Sequence, residues 1–524
     1  MSTKISVYAD RLIEAGWLIA AITVPVFFNV YSSRTFEPDK ITLLRSIALV
    51  MAAAWIVKVL DEGFHRPPGE AWGAWLRGRL TGTPLALPTL LLVGAMLLST
   101  VASISWQQSL FGSYQRLQGT YSFLSYIVIF FLAVQGLRQR EQVERLVTVA
   151  IVTSIPVTLY GVLQNLGFDP LPWQGDVQRR IASTMGNSIF VAAYLIMIVP
   201  LTLGRLVQTV STTLAADDPP TSSFLLIPFY VLVLLSQLVA IAFTLSRGPW
   251  LGLFGGIFFF ILLWTFGLKR RWVVLTWVGL SLAAFAFIIL LNVPNSPAAP
   301  LRQLPYLGRL GQILSDNQTG QVRVLIWRGA ADLVRSDPLR TLIGYGPETM
   351  QVAYNPYYPP SLGQIESRTA SPDRSHNETW DALVTTGVLG FLAYMLLFTL
   401  LFYSGLKWLG LINSKRQRNL FLGLWLGVGA LVAAAFVLRT EPGYFGVALP
   451  AGMMLGLFSY LVWFALSGQP IDAAAQANPY RILLIALYAA MIAHFIEIHF
   501  GIAIAATRTY FWLFAALFVL VGEL

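Results

Sequence analysis

The sequence predicts an all-α, polytopic integral membrane protein of about 12–14 transmembrane helices with one large extracytoplasmic loop. Three observations carry this. Only 11% of the 524 residues are charged, 56% are hydrophobic and the mean hydropathy is +0.66; a soluble domain carries about 25% charged residues. Apolar runs of about 18–22 residues recur along the chain, each able to cross a hydrocarbon core of about 30 Å. A β-barrel would instead alternate over segments of about ten residues. Finally, one polar break, Leu291 to Trp380, interrupts this pattern and gathers the reactive side chains.

In chain order, the spacing predicts spans over 12–30, 41–60, 84–102, 120–137, 146–165, 187–206, 223–244, 249–268, 272–292, 381–404, 419–438, 443–466, 481–499 and 509–522. The first apolar stretch, Leu12 to Val30, is followed by no small-residue cleavage pattern. It reads as a transmembrane helix rather than a removed signal peptide. Residues 1–524 form a single membrane domain, 293–380 a lid-like outer loop holding catalytic residues, and 481–522 an additional C-terminal helix pair.

The Lys/Arg bias of short loops sets the orientation. Basic clusters occupy alternate connections: Arg66, Arg77 and Arg79; Arg138, Arg140 and Arg145; Lys269, Arg270 and Arg271; and Lys407, Lys415, Arg416 and Arg418. These read as cytoplasmic, together with Lys4 and Arg11, which places the long loop outside. The outer connections still keep Arg34, Arg116, Arg179, Arg180, Arg247, Arg439 and Arg508 against that bias. A surface that collects arginines in this way suits an anion, because the guanidinium fork bonds two phosphate oxygens at once. The plainer reading has them snorkel to headgroups or pair with Glu37, Asp39, Glu441 and Glu497.

The absence of cysteine excludes disulfides and thiolate chemistry. Four scattered histidines, His65, His376, His494 and His499, offer no metal-ligand spacing. The net charge of +10 is spread over many short loops, unlike a nucleic-acid-binding patch.

Several short motifs can carry chemistry. In Leu245-Ser246-Arg247-Gly248-Pro249-Trp250, Ser246 can cap a helix whose first turn takes Pro249, leaving outward-facing amides beside Arg247. Arg179-Arg180 precede Ser183-Thr184-Met185-Gly186-Asn187, again placing cations near a helix start. Gly112 to Gly119 hold Arg116 between glycines. Gly320 to Ser336 has helical periodicity, with Val322, Leu325, Ile326, Leu333 and Val334 on one face. The spacing predicts an amphipathic helix across the outer surface, ended by Asp337-Pro338. Arg323 and Trp327, four apart, can reach one site. Gly344-Tyr345-Gly346 predicts a tight turn. His376, in Asp373-Arg374-Ser375-His376-Asn377-Glu378, suits proton transfer near neutrality, with Asp373 or Glu378 to orient its ring.

Taken together, Arg180 with Gly186-Asn187, the Ser246 to Trp250 motif, Arg323 with Trp327, Gly344-Tyr345-Gly346 and the Asp373 to Asn377 run come in an order and spacing that resembles the O-antigen ligase and polymerase superfamily. The resemblance covers roughly Val93 to Leu400. It implies a periplasmic-face glycosyltransferase that moves a glycan from an undecaprenyl-pyrophosphate carrier to an acceptor, with no metal and no cofactor. By the same resemblance Arg247 and Arg323 hold the pyrophosphate, His376 activates the acceptor hydroxyl and Arg180 is an accessory phosphate contact. Arg116, Arg374, Trp327 and Asn377 join them as substrate contacts.

The family usually has about twelve spans, so the C-terminal pair with His494, Glu497, His499 and Arg508 departs from it. Those four read as a second polar site or a helix–helix hydrogen-bond cluster. Ligase and polymerase are not separable from these motifs. A transporter, the reading from another class, should show inverted repeats or charges at depth; here most charges lie at the outer edge.

Overall fold

The computed structural model describes residues 3–523 except 33–35, 64–70, 72, 74–77, 79–81, 174, 219, 269, 294, 305–317 and 367–369. Arg34, Arg66, Arg77, Arg79, His65 and Lys269 lie outside the described residues. The helices that matter are α1 (Lys4–Val26), α2 (Glu37–Glu62), α3 (Ala86–Val101), α4 (Thr120–Gly136), α5 (Arg140–Asn165), α6 (Ser188–Ala215), α7 (Thr221–Thr244), α8 (Arg247–Phe266) and α9 (Arg271–Asn292). After the long loop's α10 (Gln318–Arg335) and α11 (Pro338–Ile343) come α12 (Glu378–Trp408), α13 (Lys415–Arg439), α14 (Phe445–Ser467), α15 (Arg481–Glu497) and α16 (Ala505–Glu523). Every predicted span coincides with one of these helices, and no strand occurs among the described residues. Ten helices among them are long and apolar enough to cross a membrane, so the fold is an all-α polytopic membrane protein.

The C-terminal pair proves to be the centre of the bundle rather than an appendage. α15 is buried along nearly its whole length, packed by α6, α8 and α16. Small residues let the backbones close up. A Cβ on Gly252 would stand 2.6 Å from the Ala493 carbonyl oxygen, and one on Gly256 would stand 2.9 Å from the Ala493 Cβ. The turn after α15 thereby meets the start of α8, where Gly248 and Phe500 touch.

A second device positions the long loop between α9 and α12. α12 is broken at Gly387, whose φ of 65° is left-handed. The break frees carbonyls that helical hydrogen bonding would have consumed. Tyr345 N–H donates to Val384 O at 2.9 Å and Gly346 N–H to Thr385 O at 3.0 Å. The predicted Gly344-Tyr345-Gly346 turn is therefore a plug inserted against a kinked membrane helix. Irregular backbone against a membrane helix is tolerated where protein groups satisfy it. Gly344 and Gly346 leave no room for a side chain, since a Cβ on Gly344 would lie 2.2 Å from Thr385 O.

The helix predicted over Gly320–Ser336 forms as α10, but its apolar face does not lie open on the outer surface. Val322, Ile326, Trp327, Ala330, Leu333 and Val334 are buried against α12 and the Pro442–Tyr444 turn. Asp337 both ends it and caps α11, accepting from Leu339 N–H at 2.8 Å.

Candidate functional site

The site is assembled at one end of the bundle from four pieces of chain. The α7–α8 turn comes first. Leu245 takes a left-handed φ of 51°, and Ser246 stands at the N-cap position of α8. Its hydroxyl does not cap the helix as the sequence suggested. It donates instead to Thr244 O at 3.2 Å and accepts from Arg180 Nη2 at 3.3 Å, while Arg180 Nε donates to Thr244 O at 3.1 Å. Arg180 thus braces the turn that presents Arg247, and the Ser246 side chain is spent on that turn rather than on the first turn of α8.

α10 supplies Arg323. Burial lowers the pKa of this guanidinium, Glu497 opposes that and Arg247 adds to it. An arginine stays charged under such a shift. Two cations are thereby held within electrostatic reach of each other, and Arg323 also feels the buried Glu497.

The Asp373–Glu378 run supplies His376. Its neighbours are fixed on both sides. Ser375 N–H and Oγ–H donate to Asp381 Oδ1 at 2.8 and 2.7 Å. Trp327 Nε1–H donates to Ser375 O at 2.9 Å. Asn377 caps α12 through Trp380 N–H at 3.1 Å, and its amide donates to Gly446 O at 2.8 Å and His499 O at 2.9 Å. Between these anchors His376 takes φ 56°, a left-handed conformation for a non-glycine residue. It faces a cavity of about 310 Å³ that Arg323, Asp373 and Glu366 also line. Burial, reinforced by Arg323, pulls its imidazole down to about 4; Asp373 opposes and Arg116 adds to the lowering.

The fourth piece is the Trp106–Gly119 region. Arg116 grips Asp373 through Nε at 2.5 Å and Nη2 at 3.3 Å. Burial alone would raise the Asp373 carboxyl, but the hydrogen bonds and charge of Arg116 outweigh it and hold it below the usual range. Arg374 turns the other way into a buried ion pair with Glu348, and Glu348 also accepts from Ser113 Oγ at 2.6 Å. Burial works against the charged Arg374, but Glu348 and the neighbouring carboxylates raise its pKa above the ordinary value.

The structure therefore brings Arg247, Arg323 and His376 together, with Arg116 and Arg180 one contact behind them. Trp327 braces that segment through Ser375 O, and Arg374 and Asn377 belong to it but bond away from His376; none of the three lines the cavity. Of the two carboxylates predicted to orient His376, Asp373 lies on the cavity wall. Glu378 faces Arg508 at 3.6 Å. Glu348, Asp381 and Glu366 were missed. Asp381 falls in the first turn of an apolar helix, and Glu348 and Glu366 belong to no periodic pattern, so the sequence carries no signal for them. Among the described residues no group of three or more His, Asp or Glu side chains could hold a metal ion.

The O-Antigen ligase family model matches residues 230–395, from α7 through the first half of α12. That stretch holds Arg247, Arg323 and His376 together with the plug and the kink. No curated protein matches the chain.

Proposed function

We propose that this chain, a member of the O-antigen ligase-like superfamily by residues 230–395, is an inverting glycosyltransferase of the bacterial inner membrane. It moves a glycan from an undecaprenyl-pyrophosphate carrier to a lipid or glycan acceptor at the outer face. The observation that carries this reading is the convergence of His376 and Arg323 on one cavity, with Arg247 beside Arg323. The outward orientation is supported by the basic clusters at the opposite ends of the same helices.

The chemistry follows from the charges. The acceptor hydroxyl attacks the anomeric carbon as His376 takes its proton. The bond from that carbon to the pyrophosphate oxygen breaks, and its electron pair leaves with the carrier. Arg247 and Arg323 stand where that negative charge grows, already oriented and partly desolvated, and so favour the transition state over the bound donor. The N-terminus of α8, whose first residue is Arg247, adds the positive end of its dipole to the same field. A single displacement inverts the anomeric centre.

The electrostatics also couple the two substrates. Arg323 depresses the basicity of His376. A donor pyrophosphate cancels that cation and leaves a stronger base, so His376 is activated when the donor is in place.

His376→Ala should lower transfer by about 10²–10⁴-fold while donor binding persists. Arg247→Ala and Arg323→Ala should each weaken donor binding by about ten- to a hundredfold, the worth of a charge-assisted hydrogen bond. Full transfer by the histidine variant would remove it as base, and unchanged donor binding in both arginine variants would return them to lipid headgroups. Acceptor choice separates a ligase, which loads a lipid core, from a polymerase, which loads a second lipid-linked repeat.

A further inference from the structure

The cavity shared by Arg323 and His376 also carries a carboxylate that the transfer chemistry does not use. Glu366 follows the short Leu362–Ile365 helix and lines the same wall. Its side chain is exposed to that space and makes no hydrogen bond or ion pair among the described residues. The other charges of the wall are committed. Asp373 is neutralised by Arg116, and Arg323 faces the donor's phosphates. With the donor bound, Glu366 is the remaining uncompensated charge among the described residues of the wall.

Shape points the same way. A cavity of about 310 Å³ is at the lower end of small-molecule sites, which run about 300–1,000 Å³. It suits one sugar-sized unit rather than a chain. Val322, Ile326 and Pro372 give the wall an apolar part beside its carboxylates, matching a pyranose with C–H faces and a hydroxyl edge.

We propose that this cavity binds the acceptor as a single uncharged sugar ring, with Glu366 accepting hydrogen bonds from its hydroxyls and repelling rings that carry phosphate or carboxylate. This rests on the glycosyl-transfer reading for the identity of the ligand as an acceptor. Repulsion between like charges in a partly enclosed site is a strong discriminator.

The test uses the full chain in vesicles with a polyprenyl-pyrophosphate-linked glycan and three glycosides sharing one ring: neutral, 6-phosphorylated and uronic. The neutral acceptor should show a KM lower by about tenfold or more. Glu366→Gln should compress that preference to within about threefold, through the acceptor KM rather than the donor KM. Saturation-transfer NMR with the same glycosides, over protein saturated with inorganic pyrophosphate, should give the same ranking. Equal use of the three acceptors by the wild type, preference for an anionic one, or undiminished discrimination in the variant would overturn the proposal. If no acceptor receives glycan but the binding ranking and its loss in Glu366→Gln hold, the transfer reading fails and the cavity assignment stands.

Discussion

The coupling between Arg323 and His376 makes a signed prediction about pH. Burial first and Arg323 next pull the imidazole down to about 4. A general base works only when unprotonated, so transfer should fall as the pH drops through that value. At pH 7 such a group is about 99.9% neutral, so protonation is not what restrains it; weak basicity is. A charge within about 4–6 Å shifts a pKa by about 1–3 pH units. Because burial dominates and remains, cancelling Arg323 should recover about one of these. The assay is the initial rate of glycan transfer in vesicles from about pH 3.5 to 8, the practical window around both limbs. The acid limb of kcat/KM for the donor reports the empty enzyme and should lie near 4. The acid limb of kcat reports the donor-loaded enzyme and should lie about one pH unit higher. Arg323→Gln should raise the first limb toward the second and close the gap. Limbs that coincide in the wild type, or a first limb that stays or moves down in Arg323→Gln, would refute the coupling.

Three further outcomes follow from the packing. Gly387→Ala places a Cβ 2.4 Å from the Leu342 carbonyl at φ +65°, and should cost more than about 2 kcal/mol; Gly94→Ala, with nothing within 4 Å, should be neutral or stabilising in the same thermal unfolding assay. Glu348→Gln removes the carboxylate paired with the buried Arg374 and should cost about 3–5 kcal/mol. Arg116→Ala, from a pair with side chains 20% and 36% exposed, should cost about 1 kcal/mol or less; equal losses would mean that burial does not distinguish the pairs. Trp327→Phe removes the donor to Ser375 O and should cost about 1–3 kcal/mol while lowering kcat with little change in donor KM. A raised donor KM instead would place Trp327 against the substrate.

Hydropathy and local spacing determined much of this protein. Burying backbone polar groups in hydrocarbon demands helices of a set length, so each span is visible in its own residues without reference to any other. The arginines against the charge bias, the periodic helix carrying Arg323 and the polar run around His376 were legible for the same reason, since each is a local pattern. Tertiary structure decided what those residues face. Arg374 pairs with Glu348 and Arg116 with Asp373 across 26 and 257 positions, and nothing near either residue in the chain marks its partner. Trp327 and Arg323 share a helix and converge on one segment, yet one is a hydrogen-bond brace and the other a cavity wall. The C-terminal pair read as an addition because the superfamily that the chain resembles usually has about twelve spans; its place at the centre comes from glycines on α8 and alanines on α15 that let two backbones meet. The glycine-rich turn was legible as a turn, but its role as a plug depended on carbonyls freed by a break in α12, and a hydrogen bond between distant segments leaves no trace in either one alone.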